Sequence, residues 1–294
     1  MPHLFAIYGP TASGKSELAE ALADLTQAQL INSDAFMVYR GLDIGTNKPT
    51  EKDRYKLLDL KAPHEDFGVG EWVRLASDLL GQLHAQSRDA VLVGGTGLYL
   101  RALTERWTEL APAPDPGLRA ALQRELQCRG LPALVDELRR LDPETKVDLA
   151  NPVRVTRALE RLRTAPDPVT IDYPDFEVVK FGIQVEPAEI DQRIAQRTQE
   201  MLIRGWVDEV NALRTLGVSA EAPSMRAIGY RLILEALEGK TSFADLEGKV
   251  VQQTRQYAKR QRTWMRSEPH LVPCPSWQPG QGREAAARLL SNLN

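Results

Sequence analysis

Eight consecutive residues carry the first chemical signal. Gly9-Pro10-Thr11-Ala12-Ser13-Gly14-Lys15-Ser16 satisfies the pattern G-x-x-x-x-G-K-[ST]. Glycines at those positions let the backbone curl so that successive N–H groups face inward. A helix starting at the loop adds free N–H groups and the positive end of its dipole. Lys15 brings a mobile cation to phosphate oxygens, and Ser16 is placed to ligand Mg²⁺. The expected phosphate-binding set is Gly9, Thr11, Ala12, Ser13, Gly14, Lys15 and Ser16. Such a loop recognises two linked phosphates without naming the molecule that carries them.

A nucleotide hydrolase normally adds an apolar strand ending in an acidic Mg²⁺ ligand, and a residue that positions water. Here the run VLVGGTGLY at 91–99 has glycine and threonine in that place. The acid at a strand end is Asp34, after LIN. Two uses compete for it, Mg²⁺ ligand and catalytic base. Thr96, in the glycine-rich turn, offers a hydroxyl beside free N–H groups, which suits an oxyanion or a phosphate; the alternative is a helix cap. Arg226 and Arg231 stand in SMRAIGYR beside a glycine and an aromatic, and an arginine fork binds phosphate bidentately.

The stretch TRQYAKRQRTWMR, 254–266, adds a different chemistry. Arg255, Lys259, Arg262 and Arg266 lie at i, i+4, i+7 and i+11, so they share one helical face, with Arg260 nearby and no acid in the run. An unneutralised basic stripe in a chain of net charge −3 points to a polyanion such as a nucleic-acid backbone. Tyr257 and Trp264 fall on a neighbouring face and anchor the helix to a core. Arg154, Arg157 and Arg161 repeat the theme at i, i+3 and i+7, with acids close by.

These residues need elements to hold them. LFAIY before the loop is a buried strand, ELAEALADL after it a helix, and AQLINSD a second strand. From Gly70, Trp72, Leu75, Ala76, Leu79, Leu80 and Leu83 recur with helical spacing; AVLVGG is a third strand, with a helix from Leu98 onward. Strands alternating with helices predict a parallel α/β sheet flanked by helices. Strands joined by right-handed crossovers finish on one edge, which stands Asp34 near the loop. Proline-rich stretches at 111–117 and 164–175 bracket a segment with only helical signals: LRAALQRELQCRG, LPALVDELRRL and PVRVTRALERL. They read as hinges. The expected organisation is a discontinuous core, 1–112 and 176–294, with an all-helical insertion at 113–175. EVVKFGIQVE returns the chain to the sheet, followed by a helix from about Glu189.

The chain has 294 residues, 43% hydrophobic and 26% charged, the balance of a soluble globular protein. Cys128 and Cys274 are far apart and the four histidines form no metal-spaced pair, which argues against a zinc site or a disulfide framework. No signal peptide fits before the loop, and no apolar stretch is long enough for a bilayer; by elimination the expected compartment is the cytoplasm.

Taken together, GPTASGKS, INSDAFMVYRGLDIGTNKP, LVGGTGLYLRAL, SMRAIGYR and TRQYAKRQRTWMR resemble, in order and spacing, the bacterial tRNA dimethylallyltransferases, or tRNA isopentenyltransferases. The resemblance runs from the N-terminus to about residue 266, and implies a P-loop NTPase-like fold. It implies that the loop holds the diphosphate of dimethylallyl diphosphate rather than ATP, with Mg²⁺ on Ser16. The acceptor it implies is the exocyclic amine of the adenosine 3′-adjacent to the anticodon in tRNA. Asp34 would be the general base, with Thr96 and Arg226 joining Lys15 and Ser16 on the departing pyrophosphate. Contacts to the anticodon arm would fall on Asp34, Ala35, Phe36 and Met37, on Arg119, on Val153, Arg154, Val155, Thr156 and Arg157, and on Arg255, Lys259 and Arg260. The expected working form is a monomer with no membrane partner. Ala35, Met37 and Leu232 depart from the Ser, Gln and Gln that relatives usually carry, and the first two changes remove hydrogen-bonding groups that could read or orient the target base. The rival readings are an adenylate isopentenyltransferase acting on free AMP, a small-molecule P-loop kinase, and a non-catalytic adaptor.

Overall fold

The computed structural model describes residues 1–107, 110, 116–164 and 171–293. Two compact units emerge: Met1–Arg106 with Asp172–Asn294, and Trp107–Ile171. Most of the two proline-rich stretches, 111–115 and 165–170, lies outside the described residues, as does position 113, the expected start of the insertion. Asp175, its expected end, belongs to the first unit, where its carboxylate accepts from Arg106 at 2.7 Å.

The first unit is built on six parallel strands: β1 (His3–Tyr8), β2 (Gln29–Asn32), β3 (Tyr55–Lys56), β4 (Ala90–Val93), β5 (Glu177–Gln184) and β6 (Leu271–Pro275). Their order is β3-β2-β4-β1-β5-β6. Registers such as Ile7↔Val93, Asn32↔Val93 and Ile7↔Phe181 align the ends of the central strands. The loops that follow β1, β2 and β4 therefore emerge side by side on one edge. That edge is where open α/β sheets bind ligands.

Helices cover the sheet. α1 (Lys15–Thr26) and α10 (Gly282–Ser291) pack together on the face that presents Phe5, Ile7, Val91, Phe181 and Ile183. α2 (Val69–Ala85) and α3 (Gly97–Thr104) meet through Trp72 stacked on Tyr99 at 5.0 Å. The Trp72 indole N–H donates to the carbonyl of Asn32 at 2.8 Å, tying α2 to the end of β2. A second core joins α6 (Pro187–Ile203), α7 (Trp206–Thr215), α8 (Tyr230–Leu237) and α9 (Leu246–Arg266) to Val38, Tyr39 and Leu42 of the loop after β2.

The second unit contains α4 (Pro116–Leu141) and α5 (Pro152–Thr164) around Leu122, Leu134, Leu138, Val155 and Leu159. α4 is two helices met at Gly130, whose φ of 75° no helix accommodates. Pro132 follows in the first turn of the second piece, where its missing N–H costs nothing. Val155 is fully buried there, so its side chain packs the core of this unit. Of the expected tRNA contacts here, the Val155 side chain is thus turned inward, whereas Val153, at 73% exposure, faces solvent.

Candidate active site

The phosphate loop takes the shape its sequence demands. Ala12 and Gly14 have φ of 64° and 90°. At Gly14 a Cβ would also stand 3.1 Å from the Trp277 ring. Lys15, the first residue of α1, is buried and donates to the carbonyl of Pro10 at 2.7 Å. Burial first, and then the positive charge of Arg197, pull its ammonium down to about 7. Ser13 is buried, with a hydroxyl that has no partner among the described residues. Ser16 is exposed and lines the cavity described below. Gly9 lies behind the loop, its Cα facing the Ser13 hydroxyl.

Asp34 leaves the end of β2 half-buried, held by two backbone donors. The N–H of Phe36 reaches its Oδ1 at 2.9 Å and that of Gly95 its Oδ2 at 3.2 Å. Asn32 locks the turn by accepting from the Asp34 N–H at 2.9 Å. The carboxylate is thereby fixed in one rotamer with lone pairs left over.

Thr96 does not line the cavity. Its hydroxyl accepts from the Ala35 N–H at 3.0 Å, so it braces the Asp34 turn from behind. It is the first residue before α3 but makes no side-chain cap.

A cavity of about 410 Å³ opens over this edge. Thr11 to Ser16, Asp34, Phe36 and Met37 line it from the strand ends; Arg226 lines it from a 3₁₀ turn at Pro223–Arg226; Arg260 lines it from α9. Met201, Trp206 and Val250 give it an apolar wall. One chamber thus holds a phosphate cradle, a fixed carboxylate, several cations and an apolar surface. A ligand with an anionic head and a short apolar tail fits that division.

Three groups escaped the sequence reading. Arg197 of α6 lines the cavity and donates to the Thr11 hydroxyl. Gln261 of α9 accepts from the Thr11 N–H at 2.6 Å and donates to the Gly95 carbonyl at 2.8 Å. The Tyr257 hydroxyl donates to that same carbonyl at 2.8 Å, beyond the anchoring role expected of it. The Gly95 peptide is thus gripped on one side by α9 and on the other by Asp34. A Cβ at Gly95 would lie 2.7 Å from the Tyr257 oxygen and 2.8 Å from Asp34 Oδ2, so only glycine fits. The C-terminal segment, which has no distinctive sequence, also contributes: Trp277 covers Gly14, and its N–H donates to Glu17 at 3.2 Å.

The wall formed by residues 43–49 is held in place by charge. Glu209 of α7 accepts from the N–H groups of Asp43, Ile44 and Gly45 at 2.8, 2.7 and 3.3 Å. Lys48, whose side chain is fully buried, bridges Asp43 at 2.9 Å and Asp59 at 2.5 Å.

The basic face of α9 differs from expectation in two respects. Arg255, Lys259, Arg260 and Arg266 are exposed, but one amino group of Arg262 is buried with no partner among the described residues. Nor is the stripe wholly unneutralised, since Arg255 lies 3.7 Å from Asp191 of α6. In the second unit, Arg119 and Arg157 converge on the buried Glu160, at 3.8 and 2.7 Å. Arg154 and Thr156 are on the solvent side of α5 or its edge, with Arg154 3.7 Å from Asp148.

Among the described residues no three His, Cys, Asp or Glu side chains gather as a metal site, and no helix is long and apolar enough to cross a membrane. A parallel sheet with a phosphate loop after β1 and a carboxylate after β2 defines a P-loop NTPase-like α/β protein. Comparison with known proteins narrows that class. The family model described as IPP transferase matches residues 37–268, and the one described as isopentenyl transferase matches residues 2–58. The tRNA dimethylallyltransferase 1 of Trichlorobacter lovleyi is 38% identical over 92% of this chain and 92% of its own length. The tRNA dimethylallyltransferase of Aromatoleum aromaticum is 37% identical over 99% of this chain and 97% of its own. Among solved structures, the full-length tRNA isopentenylpyrophosphate transferase of Bacillus halodurans superposes with a TM-score of 0.72 at 30% identity, covering 100% of this chain and 97% of that one. The chain belongs to the IPP transferase family.

Proposed function

We propose that this chain transfers the dimethylallyl group of dimethylallyl diphosphate to the exocyclic amine of the adenosine 3′-adjacent to the anticodon in tRNA, releasing pyrophosphate. The observation that carries the proposal is the single cavity in which Lys15, a backbone-anchored Asp34 and an apolar wall share one space. The names of the relatives support the same reading. It takes the loop as a diphosphate site rather than an ATP site.

The diphosphate lies in the loop, with the prenyl tail toward Met201, Trp206 and Val250. The allylic C–O bond breaks and its electron pair goes to the diphosphate oxygen. Lys15, Arg226 and the loop N–H groups, which share the cavity, would offset that growing charge. The adenine amine forms the C–N bond at the same carbon, and Asp34 takes its proton. A positioned base of this kind supplies about 10²–10⁴-fold. The bonds from Gly95 and Phe36 fix the orientation of the carboxylate that would meet the amine. The adenosine must leave its stack to reach the cavity. Thr96 serves the reaction by holding the Asp34 turn.

Mg²⁺ fits the donor set: it commonly takes one or two protein oxygens and completes its shell with phosphate and water, and Ser16 supplies such an oxygen beside the loop. When bound, it would neutralise part of the leaving-group charge. The tRNA arm would lie on the exposed cations of α9 and on the Arg119, Arg154 and Arg157 side of the helical insertion; its single-stranded loop offers unstacked bases. The enzyme would act as a monomer in the cytoplasm.

The test is incubation with labelled dimethylallyl diphosphate and tRNA, AMP or ATP in parallel. Label is expected on tRNA alone. Label on AMP would establish the adenylate enzyme instead, and ATP turnover would establish a kinase.

A further inference from the structure

α6 sends two arginines to the phosphate loop from successive turns, and their surroundings differ. Arg193 donates to the Ala12 carbonyl at 3.4 Å and is neutralised by Glu189 at 2.5 Å. It braces the loop from outside the cavity. Arg197, one turn later, lines the cavity beside Lys15 and forms no ion pair among the described residues. Its one hydrogen bond to a side chain goes to the Thr11 hydroxyl, inside the loop. Two cations thus stand close together, Lys15 buried and Arg197 partly buried, with no carboxylate paired to either among the described residues. Burying charge in that way is costly unless something anionic completes the site.

We propose that Arg197 is a further catalytic residue, whose guanidinium binds the diphosphate and stabilises it as the leaving group. The proposal rests on the prenyl-transfer reading for the word catalytic, but not for the anion site itself. The guanidinium fork matches two phosphate oxygens. Its bond to Thr11 holds it at the loop next to Lys15, so one anion seated in the loop would meet both cations. As the C–O bond breaks and its electron pair moves to the diphosphate oxygen, the attraction grows. That growth is what accelerates a step, rather than binding alone. Burial also holds the guanidinium below its ordinary proton affinity, against the weaker opposing pull of the Glu200 and Asp34 carboxylates.

The experiment compares Arg197→Gln and Arg197→Lys with the full-length wild type. Inorganic pyrophosphate with Mg²⁺ is the probe, read by thermal shift and as an inhibitor of transfer to tRNA. Gln keeps a donor for Thr11 and drops the charge; Lys keeps the charge and drops the fork. For Arg197→Gln the ligand-free melting temperature should stay level or rise, because an unpaired, partly buried cation next to Lys15 has been removed. Pyrophosphate affinity should fall roughly ten- to a hundredfold and kcat on the order of a hundredfold, with KM for tRNA unchanged. Arg197→Lys should recover part of both losses. A lower ligand-free melting temperature with pyrophosphate affinity and kcat as in wild type would make Arg197 a strut and overturn the assignment. Should Arg197→Gln fail to fold, Arg197→Lys decides alone: weakened pyrophosphate binding at a normal melting temperature supports it, and unchanged binding overturns it. A wild type that binds pyrophosphate through Arg197 yet moves no prenyl group onto tRNA would sink the proposed function and leave the anion site standing.

Discussion

Asp34 illustrates how much of the chemistry rests on backbone rather than on neighbouring charges. Its carboxylate is oriented by the N–H groups of Phe36 and Gly95, and the Gly95 peptide is itself clamped by Tyr257 and Gln261. An amide at this position has nearly the same shape but cannot accept the amine proton, and its NH2 gives up one of the two backbone bonds from Phe36 and Gly95. Asp34→Asn is therefore expected to slow transfer by about 10²–10⁴-fold, while tRNA affinity and the response to pyrophosphate stay within about twofold of wild type, a difference near the size of RT in free energy. A single-turnover assay set beside a tRNA titration checks both. Loss of tRNA affinity with the transfer step intact would take the base role away from Asp34.

At the level of elements, α9 does two jobs with one sequence. Its inner side reaches the Thr11 N–H and the Gly95 carbonyl; its outer side carries exposed cations. The cations are not equal. Arg255 shares its charge with Asp191 at 3.7 Å, whereas Lys259 forms no ion pair among the described residues. Each phosphate contact removed from a single strand lowers the salt dependence of binding by about 0.7, and from a duplex by about 0.9. Lys259→Ala should take away close to that full amount, and Arg255→Ala distinctly less. Affinity for tRNA measured across a series of salt concentrations gives the two slopes; equal slopes to wild type would leave α9 as plain surface.

The same helix shows what a single sequence discloses. Its period of 3.6, like that of α1 and α2, is written in local spacing, and the apolar runs of β1, β2, β4 and β5 are likewise local. The edges of the sheet are not. β3 is two residues long, and β6 is LVPCP, whose prolines read as loop. Proline is admissible there because β6 has a free edge that needs no second set of donors. The phosphate loop and Asp34 were legible because each sits at the end of such a local run. Arg197 and Gln261 were not, because their partner Thr11 lies 186 and 250 residues away in sequence, and no local pattern distinguishes a cavity arginine from a surface one. Arg193 and Arg197 have the same helical neighbourhood; only Glu189 and the fold separate their fates.

For the whole molecule, the two compact units have separate hydrophobic cores, and that separation is testable as energetics. Leu134 and Leu138 of α4 are both fully buried against α5, within a core of only a handful of large side chains. Truncating one of them removes several methylenes and leaves a cavity, a change that costs about 2–5 kcal/mol. In a unit so small that is a large share of the available stability. The diphosphate site draws every lining residue from the other unit. If the helical unit holds tRNA through Arg119, Arg154 and Arg157, Leu138→Ala should unfold it at a lower temperature and raise KM for tRNA, with pyrophosphate binding by the first unit unchanged. Calorimetry should then show two transitions, of which pyrophosphate shifts only the upper one. A single transition that falls as a whole, with pyrophosphate affinity falling alongside it, would mean the two units fold as one and that tRNA recognition and donor binding share a common scaffold.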